Sequence, residues 1–124
     1  MNELIESLFN NFTVDGVSIP VSYMYYEGHG EPYVTYQETG ADQALCGDDD
    51  LIAYVDFYDF DIFSKGNYNN IIQSVKSILI NNGFTWQVSG SSFDMYEPET
   101  GYYHKTLSFA IPREEINDGE NRSF

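Results

Sequence analysis

From Ile52 to Phe63 the chain carries its longest strand pattern, and near its end Tyr58, Phe60 and Ile62 alternate with Asp59 and Asp61. A period of two puts the apolar residues on one strand face and the carboxylates on the other. One face is therefore expected to be buried, the other wet and acidic. Asp56 falls on the apolar phase, which predicts a bulge there or an exit from the core. The period then changes. Tyr68, Ile71, Ile72, Val75, Ile78 and Leu79 follow helical spacing, with Asn67 placed to cap the start and Gly83 placed to end it. A strand that needs one face covered, followed by a helix with one apolar stripe, restricts the chain to helix packed on sheet.

The remaining elements follow the same logic. Leu4, Ile5, Leu8, Phe9 and Phe12 predict a short helix over 3–12, capped by Asn2, with Glu3 and Glu6 where the helix dipole favours them. Thr13-Val14-Asp15-Gly16 reads as a turn. Ile19 to Tyr26 reads as a strand, with Pro20 at its start or on an edge, and Tyr33 to Tyr36 as its hairpin partner. Residues 38–50 have no periodicity and read as an exposed acidic loop. Phe84–Val88 and Phe93–Tyr96 read as strands, and Glu97 to Gly101 as a turn. Tyr102 to Ile111 is the last strand, with Leu107, Phe109 and Ile111 on one face and Pro112 ending it. The order αβββαββ predicts an α+β fold: one mostly antiparallel sheet of about five strands, two helices on one of its faces. Residues 1–112 are expected to form a single domain, and 113–124 a polar, flexible tail.

Charge then narrows function. No lysine or arginine precedes Lys65, whereas thirteen of the twenty acids do, and the formal net charge is −15. Duplex binding relies on basic side chains that release counterions, so the first half of this chain would repel nucleic acid. Eight of those acids, from Glu38 to Asp61, fall on one loop and one strand, which predicts a single acidic surface. One cysteine, Cys46, excludes an intrachain disulfide and fits a reducing cytosol. No apolar run approaches the ~18 residues of a membrane span, and the N-terminus lacks the pattern of a secretory signal. A soluble intracellular domain without a membrane partner is expected.

Each chemical constellation has a plainer competing account. Asp48-Asp49-Asp50 offers hard oxygen ligands, but a calcium loop needs alternate ligand positions, a central glycine and a distal glutamate, and these are missing. A solvated loop is the sounder reading. Asp59 and Asp61 share a strand face, as paired carboxylates for glycoside chemistry do, yet nothing nearby suggests a pocket. His29 and His104 lack the spacing of a zinc site and any nucleophile motif around Cys46 or a serine. Ser64-Lys65-Gly66-Asn67 precedes a helix without the glycine-rich loop of a phosphate cradle. No enzyme activity, metal or cofactor is expected. The aromatics carry more. Tyr25-Tyr26 and Tyr102-Tyr103 are adjacent pairs, and strand neighbours face opposite sides, so at least one of each points away from the helices. Exposed tyrosine suits a subunit interface, and cross-strand packing is the alternative.

The pattern and order of several stretches resemble small tail-terminator, head–tail joining (neck) proteins of long-tailed bacteriophages and prophages. The carrying residues are Gly47-Asp48-Asp49-Asp50, the strand ending Tyr58-Asp59-Phe60-Asp61-Ile62-Phe63, and Ser64-Lys65-Gly66-Asn67-Tyr68. They continue through the helix into Asn82-Gly83-Phe84-Thr85-Trp86, and close with Tyr96 to Phe109. The resemblance implies an α+β subunit, without enzymatic activity or cofactor, that forms a ring, usually a hexamer, capping the tail tube. Its partners would be further copies of itself, the tail tube protein and a head-closure or connector protein. Its location would be the virion neck, after assembly in the bacterial host cytoplasm. DNA would pass through the ring without specific binding. Asp48, Asp49, Asp50, Asp59 and Asp61 are then candidates for the channel or loop contact surface, and Tyr25, Tyr26, Tyr102 and Tyr103 for subunit contacts. Two other readings stay open: another neck or minor capsid component, and an acidic DNA mimic that inhibits a DNA-binding enzyme.

Overall fold

The computed structural model describes residues 2–26, 28, 32–46, 51–91 and 94–116, with backbone alone at 42–46, 51–53 and 113–116. Helix α1 (Asn2–Leu8) stops earlier than its apolar spacing predicts. The chain turns through Asn10 and Asn11, the latter at φ 59°, yet Phe9 and Phe12 still reach the core. The expected turn over Thr13–Gly16 is present at Asp15–Gly16, and it closes a small hairpin. Strands β1 (Thr13–Val14) and β2 (Val17–Ser18) pair across Asp15 and Gly16, both at positive φ (54° and 81°). That is the Asp-Gly signal of a tight hairpin turn. Asn70 Nδ2 donates to Asp15 Oδ2 at 2.8 Å and ties the hairpin to the second helix.

Among the described residues the main sheet has six strands, more than the five expected. Strands β3 (Val21–Tyr23), β4 (Tyr33–Cys46), β5 (Leu51–Ser64), β8 (Tyr102–Ile116) and β6 (Thr85–Gln87) lie in that order, and β7 (Met95–Glu97) pairs with another part of β8. The fold is α+β with a mostly antiparallel sheet and two helices on one face, as the element order implies. Three local expectations are corrected. Residues 38–46 are not loop but continue β4, held by a register with β5 that runs from Tyr33↔Phe63 to Cys46↔Leu51. β3 and β4 are not a hairpin. They pair in parallel, Val21↔Val34 to Tyr23↔Tyr36, because the connection carries the chain back to the starting end. Pro112 does not end β8, which continues to Ile116 opposite Leu51. β6 pairs only as far as Ala110, so Pro112 lies on an edge where a missing N–H is tolerated.

Helix α2 (Asn69–Ile80) is where the sequence places it. Asn67 Oδ1 accepts the Asn69 N–H at 2.9 Å, and Gly83 at φ 97° lets Phe84 N–H return to the Leu79 carbonyl. Its buried stripe is Ile71, Ile72, Val75 and Leu79. With Ile5 of α1 and Phe9 just after it, the stripe covers Val34, Tyr36, Tyr58, Phe60, Ile62, Leu107, Phe109 and Ile111, all on one sheet face. Aromatic rings run through this layer: Tyr36 stacks on Phe60 at 5.6 Å, and Phe60 and Phe84 each meet Phe109 edge-on. Fully burying such side chains contributes about 1.5–3 kcal/mol each. Lys76 of α2 lies 3.6 Å over the Trp86 ring and closes the layer at β6.

Candidate functional site

The helix-free face is built from alternate residues of three strands. β4 contributes Tyr33, Thr35 and Gln37; β5 contributes Phe63, Asp61 and Asp59; β8 contributes His104, Thr106 and Ser108, in matching rows. Asp59 and Asp61 do share this face, but it is not simply wet. Both are half-buried, and both accept hydrogen bonds across the β5–β8 ladder. Thr106 Oγ1 donates to Asp61 Oδ1, and His104 Nε2 lies 3.3 Å from the same oxygen. Ser108 Oγ lies 2.6 Å from Asp59 Oδ1 and 2.8 Å from the Gly90 carbonyl, so its one proton serves one of them at a time. Glu97 flanks the other side of His104, with Oε2 at 4.0 Å from Nδ1. Burial raises the Asp61 carboxyl, but the hydrogen bonds from His104 and Thr106 and the imidazole charge together hold it below the usual 3.8.

A nucleophilic relay needs the hydroxyl to face the imidazole, with the carboxylate behind it. Here hydroxyl and imidazole converge on one carboxylate, which suits a structural clasp between strands. His104 also stacks on Phe63 at 4.2 Å, Phe63 on Tyr33 at 4.7 Å, and Tyr33 against Tyr26 at 4.7 Å. Tyr102 meets Tyr33 edge-on at 5.8 Å, and Lys65 Nζ lies 5.3 Å over the Tyr102 ring. An aromatic row thus covers one end of the face that the helices leave bare.

The other candidates are dispersed. Tyr25 is 64 % exposed beside the end of β3, whereas Tyr26 packs on Tyr33. Tyr102 and Tyr103 lie on opposite faces of β8, and Tyr103 stays exposed on the helix side. Asp48, Asp49, Asp50 and His29 lie outside the described residues, and Cys46 is placed by its backbone only. Asp56 points into the helix-side layer and is 4 % exposed, so alternation separates it from Asp59 and Asp61. The register shift that its phase predicts sits on the partner strand, between Glu38 and Gly40, opposite Tyr58 and Phe57. Among the described residues no three acids, histidines or cysteines gather as a metal site.

Sequence reasoning did not foresee the Asp61–His104–Glu97 cluster or the exposed pairing of Tyr96 with Tyr103, whose rings lie 4.9 Å apart. Register alone brings those residues together, and the alternation of Asp59 and Asp61 was its one visible trace. An open groove of about 450 Å³ at the start of α2 is lined by Lys65, Tyr68, Asp94 and Tyr103. Its carboxylate is already engaged, because Tyr68 Oη donates to Asp94 at 2.8 Å and Lys105 Nζ lies 3.6 Å away. No helix among the described residues is long and apolar enough to cross a membrane. No protein-family model matches this chain, and no curated protein matches it significantly.

Proposed function

We propose that this protein is a structural, non-catalytic subunit of a phage neck: a tail terminator that forms a ring, caps the tail tube and joins it to the head. One observation carries the reading beyond the sequence resemblance. β4, β5 and β8 run on as a three-stranded arm past the edge strands, since β3 reaches only Tyr36 and β6 only Ala110. From Ile111 to Ile116 the arm extends roughly 20 Å, at ~3.4 Å per residue, with no described strand on either edge. Such an arm presents open backbone edges and suits contact with another subunit. Residues 47–50, with the triple aspartate, join β4 to β5 at its end.

The arm edges are guarded unequally. On β8 the segment holds Pro112, Arg113, Glu114 and Glu115, which discourage strand addition, whereas β4 offers Gly40, Ala41, Gln43 and Ala44 with one acid, Asp42, among them. A basic-free stretch to Lys65 also fits a ring that lets DNA through without adhesion. The competing DNA-mimic reading needs carboxylates presented like phosphates. Asp59 and Asp61 are instead turned to Ser108, Thr106 and His104, and Asp56 is buried, so the neck reading is favoured.

The test is capping. Added to polymerising tail-tube protein encoded beside its gene, the chain should shorten the tubes and leave a ring at one end in electron micrographs. Tubes of unchanged length with bare ends would overturn the proposal.

A further inference from the structure

Asn82-Gly83 is the one place in the chain where an asparagine precedes a glycine. Both residues are exposed, in the turn that hands α2 over to the core at Phe84. The helical bonding pattern slips here by one residue. Asn82 N–H bonds to the Leu79 carbonyl instead of that of Ile78, and the Ile78 carbonyl accepts from Asn82 Nδ2 at 2.7 Å. The Asn82 side chain thus satisfies a carbonyl that the end of a helix leaves open. Gly83 follows at φ 97°, with its N–H on the Ile80 carbonyl at a long 3.3 Å. Phe84 N–H then returns to Leu79, and its ring packs edge-on against Tyr58 and Phe109.

An asparagine amide can be lost when the following backbone nitrogen reaches its Cγ. Gly83 hinders that approach least, because it carries no Cβ, and its N–H makes the longest hydrogen bond of the turn. The fold works against it. While Nδ2 is held by the Ile78 carbonyl, the carboxamide is drawn back along the helix and away from the nitrogen that follows. Helix ends are the first parts of a helix to open, and opening this turn releases both groups at once.

We propose that Asn82 is a site of self-modification, converting to aspartate and isoaspartate when the last turn of α2 opens. The Gly83 nitrogen bonds to Asn82 Cγ, the Cγ–Nδ2 bond breaks, and ammonia leaves with the Gly83 proton. Water then opens the cyclic imide at either carbonyl, its hydroxyl staying on the carbon and its proton returning to the Gly83 nitrogen. Breaking the new bond leaves an aspartate. Breaking the original peptide bond leaves an isoaspartate, with the chain routed through Cγ. Either product carries a carboxylate that cannot donate to the Ile78 carbonyl. That charge sits at the negative end of α2, whose last turn holds no base. Isoaspartate also lengthens the backbone just before Gly83 and so displaces the turn that seats Phe84. Modified chains therefore keep a weakened helix end.

The test uses the full chain, incubated warm at mildly alkaline pH. Peptide mass spectrometry and enzymatic isoaspartate methylation should find conversion at Asn82 ahead of Asn69, Asn70 and Asn81, at the two ends of the same helix. Urea below the unfolding transition should speed the conversion several-fold, and Gly83→Ala should slow it several-fold. If Gly83→Ala does not melt cooperatively, Gly83→Ser takes its place. Asn82→Ala removes the donor and Asn82→Asp adds the charge as well, so thermal midpoints should fall in the order wild type, Asn82→Ala, Asn82→Asp. Earlier conversion at another of these asparagines, or a rate indifferent to urea or to the glycine substitution, would overturn the proposal. An Asn82→Asp chain as stable as wild type would overturn its consequence for α2.

Discussion

Tyr36 is 1 % exposed, and its hydroxyl is buried without a hydrogen-bond partner among the described residues. Burial, with Glu6 and Tyr23 nearby, pushes that hydroxyl above its usual 10.0. A buried polar atom left unpaired costs ~1–3 kcal/mol, and the ring keeps its stacking on Phe60 without it. Tyr36→Phe is therefore expected to raise stability by about 1 kcal/mol in urea unfolding. A loss of stability would mean that the hydroxyl has a partner in solution. Asp61 gives the opposite case, because its carboxyl is more acidic folded than unfolded. Such a group contributes stability above its unfolded value and loses it as pH falls through the folded one. Wild-type stability should decline on acidification below about pH 4. Asp61→Asn should flatten that part of the profile and cost about 1 kcal/mol at neutral pH. Identical urea profiles for the two proteins would remove the carboxylate from this role.

Elements differ in what holds them. α2 is set by its own apolar spacing and by two end devices, the Asn67 side chain and the left-handed Gly83. A Cβ at Gly83 would meet nothing within 4 Å, so Gly83→Ala costs only the left-handed backbone, about 1 kcal/mol by thermal unfolding. A cost near zero would show that the C-terminus of α2 readily takes another turn. β4 is held differently. Its segment Gly40-Ala41-Asp42-Gln43-Ala44 has no apolar alternation, and its strand conformation comes from the ladder to β5. The same ladder carries Asp59 and Asp61 to Ser108 and Thr106, far along the chain, and so joins the element to the clasp on the bare face.

For the molecule as a whole, the −15 charge acts on stability as well as on partners. Twenty acids face only five lysines and arginines, so net self-repulsion dominates. Raising salt from about 10 mM to about 0.5 M shortens the screening length from ~30 Å to well under ~10 Å. The thermal midpoint of the full chain should rise over that range. A fall would mean that attractive pairs outweigh the repulsion. The expected single acidic surface is also resolved at this scale: one strand turns Asp56 into the helix layer and Asp59 and Asp61 onto the other face. What stays one-sided is the absence of bases from β1 through β5.

The sequence by itself determined the α2 stripe, the two faces of β5, the one-sided helix cover and the lysine-free half. Each is a matter of spacing or composition along a few adjacent turns or residues, and needs no distant partner to be expressed. Only the tertiary structure decided that β3 runs parallel to β4, that residues 38–46 are strand, and that β8 passes through Pro112. It also decided that Asp61 meets His104 and that Tyr96 meets Tyr103. Those features depend on backbone hydrogen bonds between remote segments. Almost any residue can make such bonds, so side-chain pattern leaves the pairing and its register open until the strands come together.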